Sequence, residues 1–238
     1  MNDHPEIISG SDRLSRALAE ELKLPLTHIL RQVEISNSSS KNINESLKFI
    51  ETNTETAINL IDNFLLSAQL NMGQLMLELE PVSITSTLYD VANELSKFAK
   101  MYDCNLKLDI KRKHNPVIAN KRALITALTS LGYGFIESTK KSDKKNEVNI
   151  ISKNTAFGVT TGIFSKNVNI DAKNFNRGQN LYGFSRQPIS SLSFPGGASI
   201  YIAGSILQAM ASRLRVTNYK KTPGLGVDLL TSRQMTLV

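Results

Sequence analysis

Glu20-Glu21-Leu22-Lys23-Leu24-Pro25-Leu26-Thr27-His28-Ile29-Leu30 is a leucine-rich segment with a proline at its centre. The apolar residues around it, Leu14, Leu18, Leu22, Leu26, Ile29 and Val33, recur at spacings of three and four, the repeat of one helix face. Pro25 falls inside that helix. There it removes a hydrogen bond and costs about 3 kcal/mol unless a bend is accommodated. A helix that only buries a stripe has little reason to carry it.

Downstream, Ile43, Leu47, Ile50, Thr54, Ala57, Ile61, Phe64 and Ala68 alternate spacings of four and three. Such a seam is buried only in a coiled coil or bundle. The polar run at 37–40 reads as the turn between two helices, with Asn42 or Asn44 as a cap for the second. Two helices cannot enclose a core alone. An intermolecular four-helix bundle, two helices from each of two chains, is the economical expectation. Leu47, Ile50, Ile61 and Phe64 then form the dimer core, and 1–72 is a dimerisation hairpin.

The chain has 238 residues, 41% of them hydrophobic, enough for a sizeable core. No apolar run reaches the length of a membrane span, and no basic-then-apolar leader opens the sequence. Cys104 is the only cysteine, which excludes internal disulfides and cysteine zinc sites. A reducing, cytoplasmic location is the expectation. The net charge of +7 gathers partly at 111–113 and 140–145. Those runs carry no interleaved aromatics, so they read as solvated surface, with nucleic-acid binding the weaker alternative.

After Gly73 the periodicity changes. Strands are expected at 75–79, 105–111, 116–119, 147–153, 156–164, 214–219 and 227–231, and helices over 84–102, 121–139 and 199–212. Residues 73–238 therefore read as an α/β sandwich with an antiparallel sheet, and the whole chain as α+β.

The opening stretch resembles the phosphoacceptor segment of sensor histidine kinases, S-H-E-L-R-x-P-L-x-x-I, through Glu21, Leu22, Pro25, Leu26 and Ile29. Further pieces follow in the family's order. Glu80-Pro81-Val82 is like its E-P-V motif, Val117-Ile118-Ala119 with Leu124 and Leu128 like its strand and helix before the asparagine motif. Ile202-Ala203 with Met210, and Gly224 with Gly226, are similar to its later elements. The resemblance implies a helical hairpin followed by a degenerate ATPase-like domain of the gyrase type.

It also implies where chemistry would sit. The phosphoacceptor histidine falls on Glu20, and a carboxylate does not form a phosphoramidate. The position from which Thr or Asn orients a phosphatase water falls on Leu24. Where the family has N-x-x-x-N-A-x-K, the register gives Ser130, Gly134 and Glu137. Mg²⁺ needs hard oxygen ligands in octahedral array, and Gly134 offers none. Glu137 puts an anion where a phosphate-facing cation is implied. The D-x-G-x-G-I motif falls on Ser165, Asn167 and Asn169, and Ser165 reads as an ordinary strand-end serine. Of the glycines covering phosphate, Gly197 survives and Ser199 replaces another.

If each lost contact is worth ~1–3 kcal/mol, losing four or more moves a micromolar site to millimolar or beyond. No cofactor or metal is therefore expected. The leading expectation is a catalytically inactive homologue, a homodimer in two-component-type signalling. It would dock a receiver domain or an active histidine kinase, through a surface that includes Thr27, His28 and Arg31. A divergent active kinase or phosphotransferase is the alternative. With so little chain ahead of Glu20, the signal is expected to arrive through a partner.

Overall fold

The structure, a computed structural model, describes residues 10–38, 43–110, 114–139, 146–156, 158–168, 170, 175–176, 178–179 and 197–232. In the first helix the side chains at 10–14, 16, 17, 20 and 38 are outside that description. The Glu20 side chain, Asn42, Asn169, part of the 37–40 turn and both lysine runs therefore lie outside the described residues.

Helices α1 (Gly10–Ser38) and α2 (Ile43–Asn71) form the hairpin. α1 runs unbroken across Pro25, which is buried. α2 begins at Ile43, so Asn44 lies within the helix and is not its cap. Glu45 stands in the first turn, where a carboxylate complements the helix dipole. The inward face of α2 carries Ser46, Asn53, Thr56, Ala57, Leu60, Asn63 and Ser67. That face is mostly small and polar.

The apolar stripe of α2 turns outward, rotated from the expected seam. At 100° per residue, Ile43, Leu47, Ile58, Ile61 and Leu65 fall within one narrow sector. All are exposed, Leu47 by 57% and Ile61 by 39%. Ile50 and Phe64 are half-buried, and Phe64 packs against the sandwich core. Of the expected dimer-core set, Leu47 and Ile61 thus face outward, while Phe64 belongs largely to the chain's own core. Ile58 and Leu65 take the outward places expected of Ala57 and Phe64, because the sandwich holds the other flank of the helix.

The second unit opens with β1 (Glu80–Val82), which pairs antiparallel with β3 (Val117–Ala119). Residues 75–79, expected as a strand, form no strand and pair with none. α3 (Ile84–Met101) starts at Ser83, whose hydroxyl accepts from Ser86 N–H. β2 (Asn105–Ile110), β4 (Glu147–Asn154), β5 (Gly158–Phe164), β6 (Leu214–Tyr219) and β7 (Thr222–Leu230) form one sheet in the order β2-β4-β5-β7-β6.

That sheet is mixed, which corrects the antiparallel expectation: β2 and β4 run parallel. β3 and α4 (Lys121–Thr139) intervene between them, and such a crossover returns the chain in the same direction. α3, α4 and α5 (Gly197–Ala209) build the core with the sheet. Leu88, Leu95, Leu124, Phe135, Ile150, Ile163 and Ile206 are almost fully buried there. Asn120 caps α4 by accepting Ala123 N–H, and donates to the Glu78 carbonyl.

Candidate functional site

α4 is held between α3, α5 and the hairpin, so two of the residues it would offer to a ligand, Ser130 and Gly134, are spent on packing. Ser130 is 1% exposed, and its hydroxyl accepts from Asn63 Nδ2 of α2 at 3.0 Å. Gly134 is buried, and Glu137 at the helix end is exposed. One turn away Asn59 Nδ2 donates to the Tyr133 hydroxyl at 3.2 Å. At the end of α2, Asn71 donates to the Tyr201 and Ser205 hydroxyls of α5. With Asn53, whose Nδ2 donates to Met101 Sδ of α3 at 3.2 Å, four asparagines of α2 bridge the hairpin to the sandwich.

Ser165 ends β5, is fully buried, and donates its hydroxyl to the Glu147 carbonyl at 2.7 Å. Asn167 N–H donates to the same hydroxyl at 3.2 Å. Both positions are thus engaged in closing the strand end.

Gly197 opens α5, and the N–H groups of a helix's first turn have no partners within the helix. Here Glu21 of α1 supplies one. Ser199 N–H donates to Glu21 Oε1 at 3.1 Å, and the Ser199 hydroxyl lies 3.3 Å from Oε2. Ala198 N–H also reaches this carboxyl group. Enclosure of the carboxyl outweighs these bonds, and with Glu137 nearby it pushes the pKa up to about 7.

Thr27 and Arg31 are exposed on α1, but His28 turns inward. Its ring packs 6.0 Å from Phe49 and 6.3 Å from Tyr102, in a cavity of about 260 Å³ that Arg31 also lines. His28 is half-buried and faces the junction of α1, α2 and α3, in a cavity whose rim it shares with Arg31. Burial and the nearby Glu137 raise the pKa of the Tyr102 phenol well above its ordinary value. Leu24 is half-buried.

A polar cleft of about 640 Å³ opens between α2 and the start of α4, lined among others by Asp62, Glu80, Glu94, Lys121 and Arg122. Neither Ser130 nor Gly134 lines it. Among the described residues no group of three or more His, Cys, Asp or Glu gathers for a metal, and no helix is long and apolar enough to cross a membrane.

Glu21 and the α2 asparagines escape the sequence reading. Glu21 is legible there only as a match to the helix motif. Asn53, Asn59 and Asn63 lie between the apolar positions, and an apolar-periodicity count passes over them.

A hairpin of two long helices followed by this sandwich is the fold of a histidine-kinase core. The structure is similar to that of the Acinetobacter baumannii histidine kinase AdeS, with a TM-score of 0.56 and 14% identity, over 90% of this chain and 98% of that one. Full-length ShkA in complex with AMPPNP gives a TM-score of 0.57 at 14% identity, with 93% of this chain and 46% of ShkA covered. A bacterial phosphotransferase matches over 94% of this chain and 98% of its own, at a TM-score of 0.50 and 8% identity. These likenesses are likenesses of fold. No family model matches the sequence, and no curated protein matches it.

Proposed function

We propose that this chain is a catalytically inactive histidine-kinase homologue, working as a dimeric binding protein in two-component-type signalling. The observation that carries the reading is the Asn63–Ser130 contact in the buried middle of α4. At Ser130 the helix face that a Mg²⁺-nucleotide site would need is occupied by α2. Glu20 at the implied phosphoacceptor position and Glu137 at the implied cation position act in the same direction.

Dimerisation is supported by α2 being polar inside and apolar outside. Leu26, Leu30 and Val33 of α1 add a second exposed stripe at helical spacing. A second copy presenting the same stripes closes a four-helix bundle. A receiver domain or an active kinase is the partner that this family resemblance implies for the hairpin, with Thr27 and Arg31 on the accessible side.

Titration calorimetry with Mg²⁺-ATP tests the inactive reading, together with labelling from γ-labelled ATP. Millimolar or absent binding and no acid-labile label are expected. A dissociation constant near ~10 μM, a free energy of about −7 kcal/mol, would overturn it.

The likeness to a phosphotransferase over nearly the whole chain favours a second reading, phosphoryl relay without nucleotide. Incubation with a phosphorylated receiver domain separates the two. Acid-labile label appearing on a histidine of this chain would favour relay, and its absence the binding protein.

A further inference from the structure

The cavity beside His28 is enclosed by three helices. α1 supplies His28 and Arg31, α2 supplies Phe49, and the end of α3 supplies Met101 and Tyr102, around a space of about 260 Å³. Tyr102 is buried, His28, Phe49 and Met101 are half-buried, and Arg31 stands exposed at the rim. The His28 ring is tilted 55° to Phe49 and 50° to Tyr102. Asn53 braces two of the walls, since its Nδ2 donates to the Phe49 carbonyl at 2.8 Å and to Met101 Sδ at 3.2 Å. The cavity is therefore held in shape by contacts behind its lining.

The lining selects a chemistry. Aromatic rings favour another ring in offset or edge contact, and a thioether favours the edge of one. Three rings and the Met101 sulfur thus suit a flat aromatic body. Arg31 makes no ion pair among the described residues. Its planar guanidinium presents the fork of donors that matches a carboxylate. No Asp or Glu lines the cavity, and Glu137 of α4, whose charge is felt at the Tyr102 phenol, is not among the lining side chains. The local balance favours an anionic group at the rim over a cationic one. Drug-sized ligands fill about 300–1,000 Å³, so this space takes a smaller body of one or two rings.

We propose that this cavity binds a small aromatic carboxylate, its ring against His28, Phe49 and Tyr102 and its carboxylate on Arg31. Such a ligand touches both hairpin helices and the sandwich at once. Occupancy therefore tightens their junction and neutralises Arg31 on the accessible side of the hairpin. The inference requires neither dimerisation nor loss of nucleotide binding.

Titration of the full-length chain with 2-naphthoate tests it. The chain has no tryptophan, so the probe's own fluorescence reports binding. Saturable one-to-one binding is expected, with a dissociation constant on the order of 100 μM, as a ligand of that size gives at ordinary efficiency. Arg31→Gln should weaken it roughly tenfold, through loss of a charge-assisted pair. The uncharged 2-naphthamide should bind the wild type no better than it binds that variant. The carbon-13 signal of the Met101 methyl, assigned through Met101→Leu, should move as naphthoate saturates, because the probe's ring current reaches it. No saturable binding in the millimolar range, an Arg31→Gln variant with wild-type affinity, an amide that binds as tightly as the acid, or a Met101 signal that stays in place would each overturn the proposal. Nucleotide binding and oligomeric state enter none of these readouts, so failure here leaves the inactive reading standing.

Discussion

At Glu21 the sign of the stability effect follows from the direction of the pKa shift. The folded-state pKa lies above the unfolded value of 4.5, at about 7. The group's contribution to stability is then fully present below pH 4.5 and is lost as pH rises through 7. Glu21→Gln, neutral throughout, should match the wild type near pH 4.5 and exceed it at pH 8 by up to ~3 kcal/mol. Urea unfolding at the two pH values checks this, and a difference that stays constant would refute it. Asn63 and Ser130 give a complementary case. Asn63→Ala leaves a buried hydroxyl short of its donor, which costs about 1–3 kcal/mol. Ser130→Ala in that background should recover part of the loss. If the single change is neutral, Ser130 is not held by this bond and the packing account of α4 fails.

Among the elements, α4 shows what the sequence makes legible. Its bounds, 121–139, are those expected from the sequence, and the structure has them at the same residues. What spacing does not reveal is where a helix is covered on every side. Gly132 marks such a place, since a Cβ there would lie 2.2 Å from Leu95 Cδ1 of α3. Gly132→Ala should cost about 1–3 kcal/mol through overpacking, read as a lowered urea midpoint. A midpoint unchanged or raised would show that Leu95 moves aside freely. α2 illustrates the other limit. Its helical period is plain, but the facing direction depends on the sandwich, which claims Phe64 and leaves Ile58 and Leu65 outside. Ser46, Asn53, Leu60 and Ser67 recur at spacings of seven on the inner face, a mostly polar repeat that a search for apolar seams does not score. The parallel β2–β4 pairing is hidden for a similar reason: strand direction is set by the crossover through α4, not by the strand residues.

The same arrangement decides what the whole molecule can do. As a single chain it leaves apolar stripes open on both hairpin helices, so Ile61→Asp should dissociate the proposed dimer without unfolding the sandwich. Sedimentation at micromolar concentration should show dimer for the wild type and monomer with unchanged circular dichroism for the variant. A wild-type monomer would remove the bundle from the reading. The proposed loss of phosphoryl chemistry, by contrast, is distributed. It involves Glu20 on α1, the Ser130 and Glu137 positions on α4, and the first turn of α5, which Glu21 occupies. Independent losses are not repaired by reversing one of them. Glu20→His restores the implied acceptor but leaves the middle of α4 bonded to Asn63 and Glu21 on Ser199. Incubated with Mg²⁺ and γ-labelled ATP, that variant should carry no label above the wild-type background. Acid-labile label on the introduced histidine would mean that a working nucleotide site survives in the sandwich, and the inactive reading would then be wrong at its foundation. Glu20→Gln isolates the remaining role of that position. Negative charge read by a partner predicts binding weakened by about 1–2 kcal/mol, as for a charge-assisted hydrogen bond made neutral. Unchanged binding leaves Glu20 a solvated helix residue, the outcome expected here.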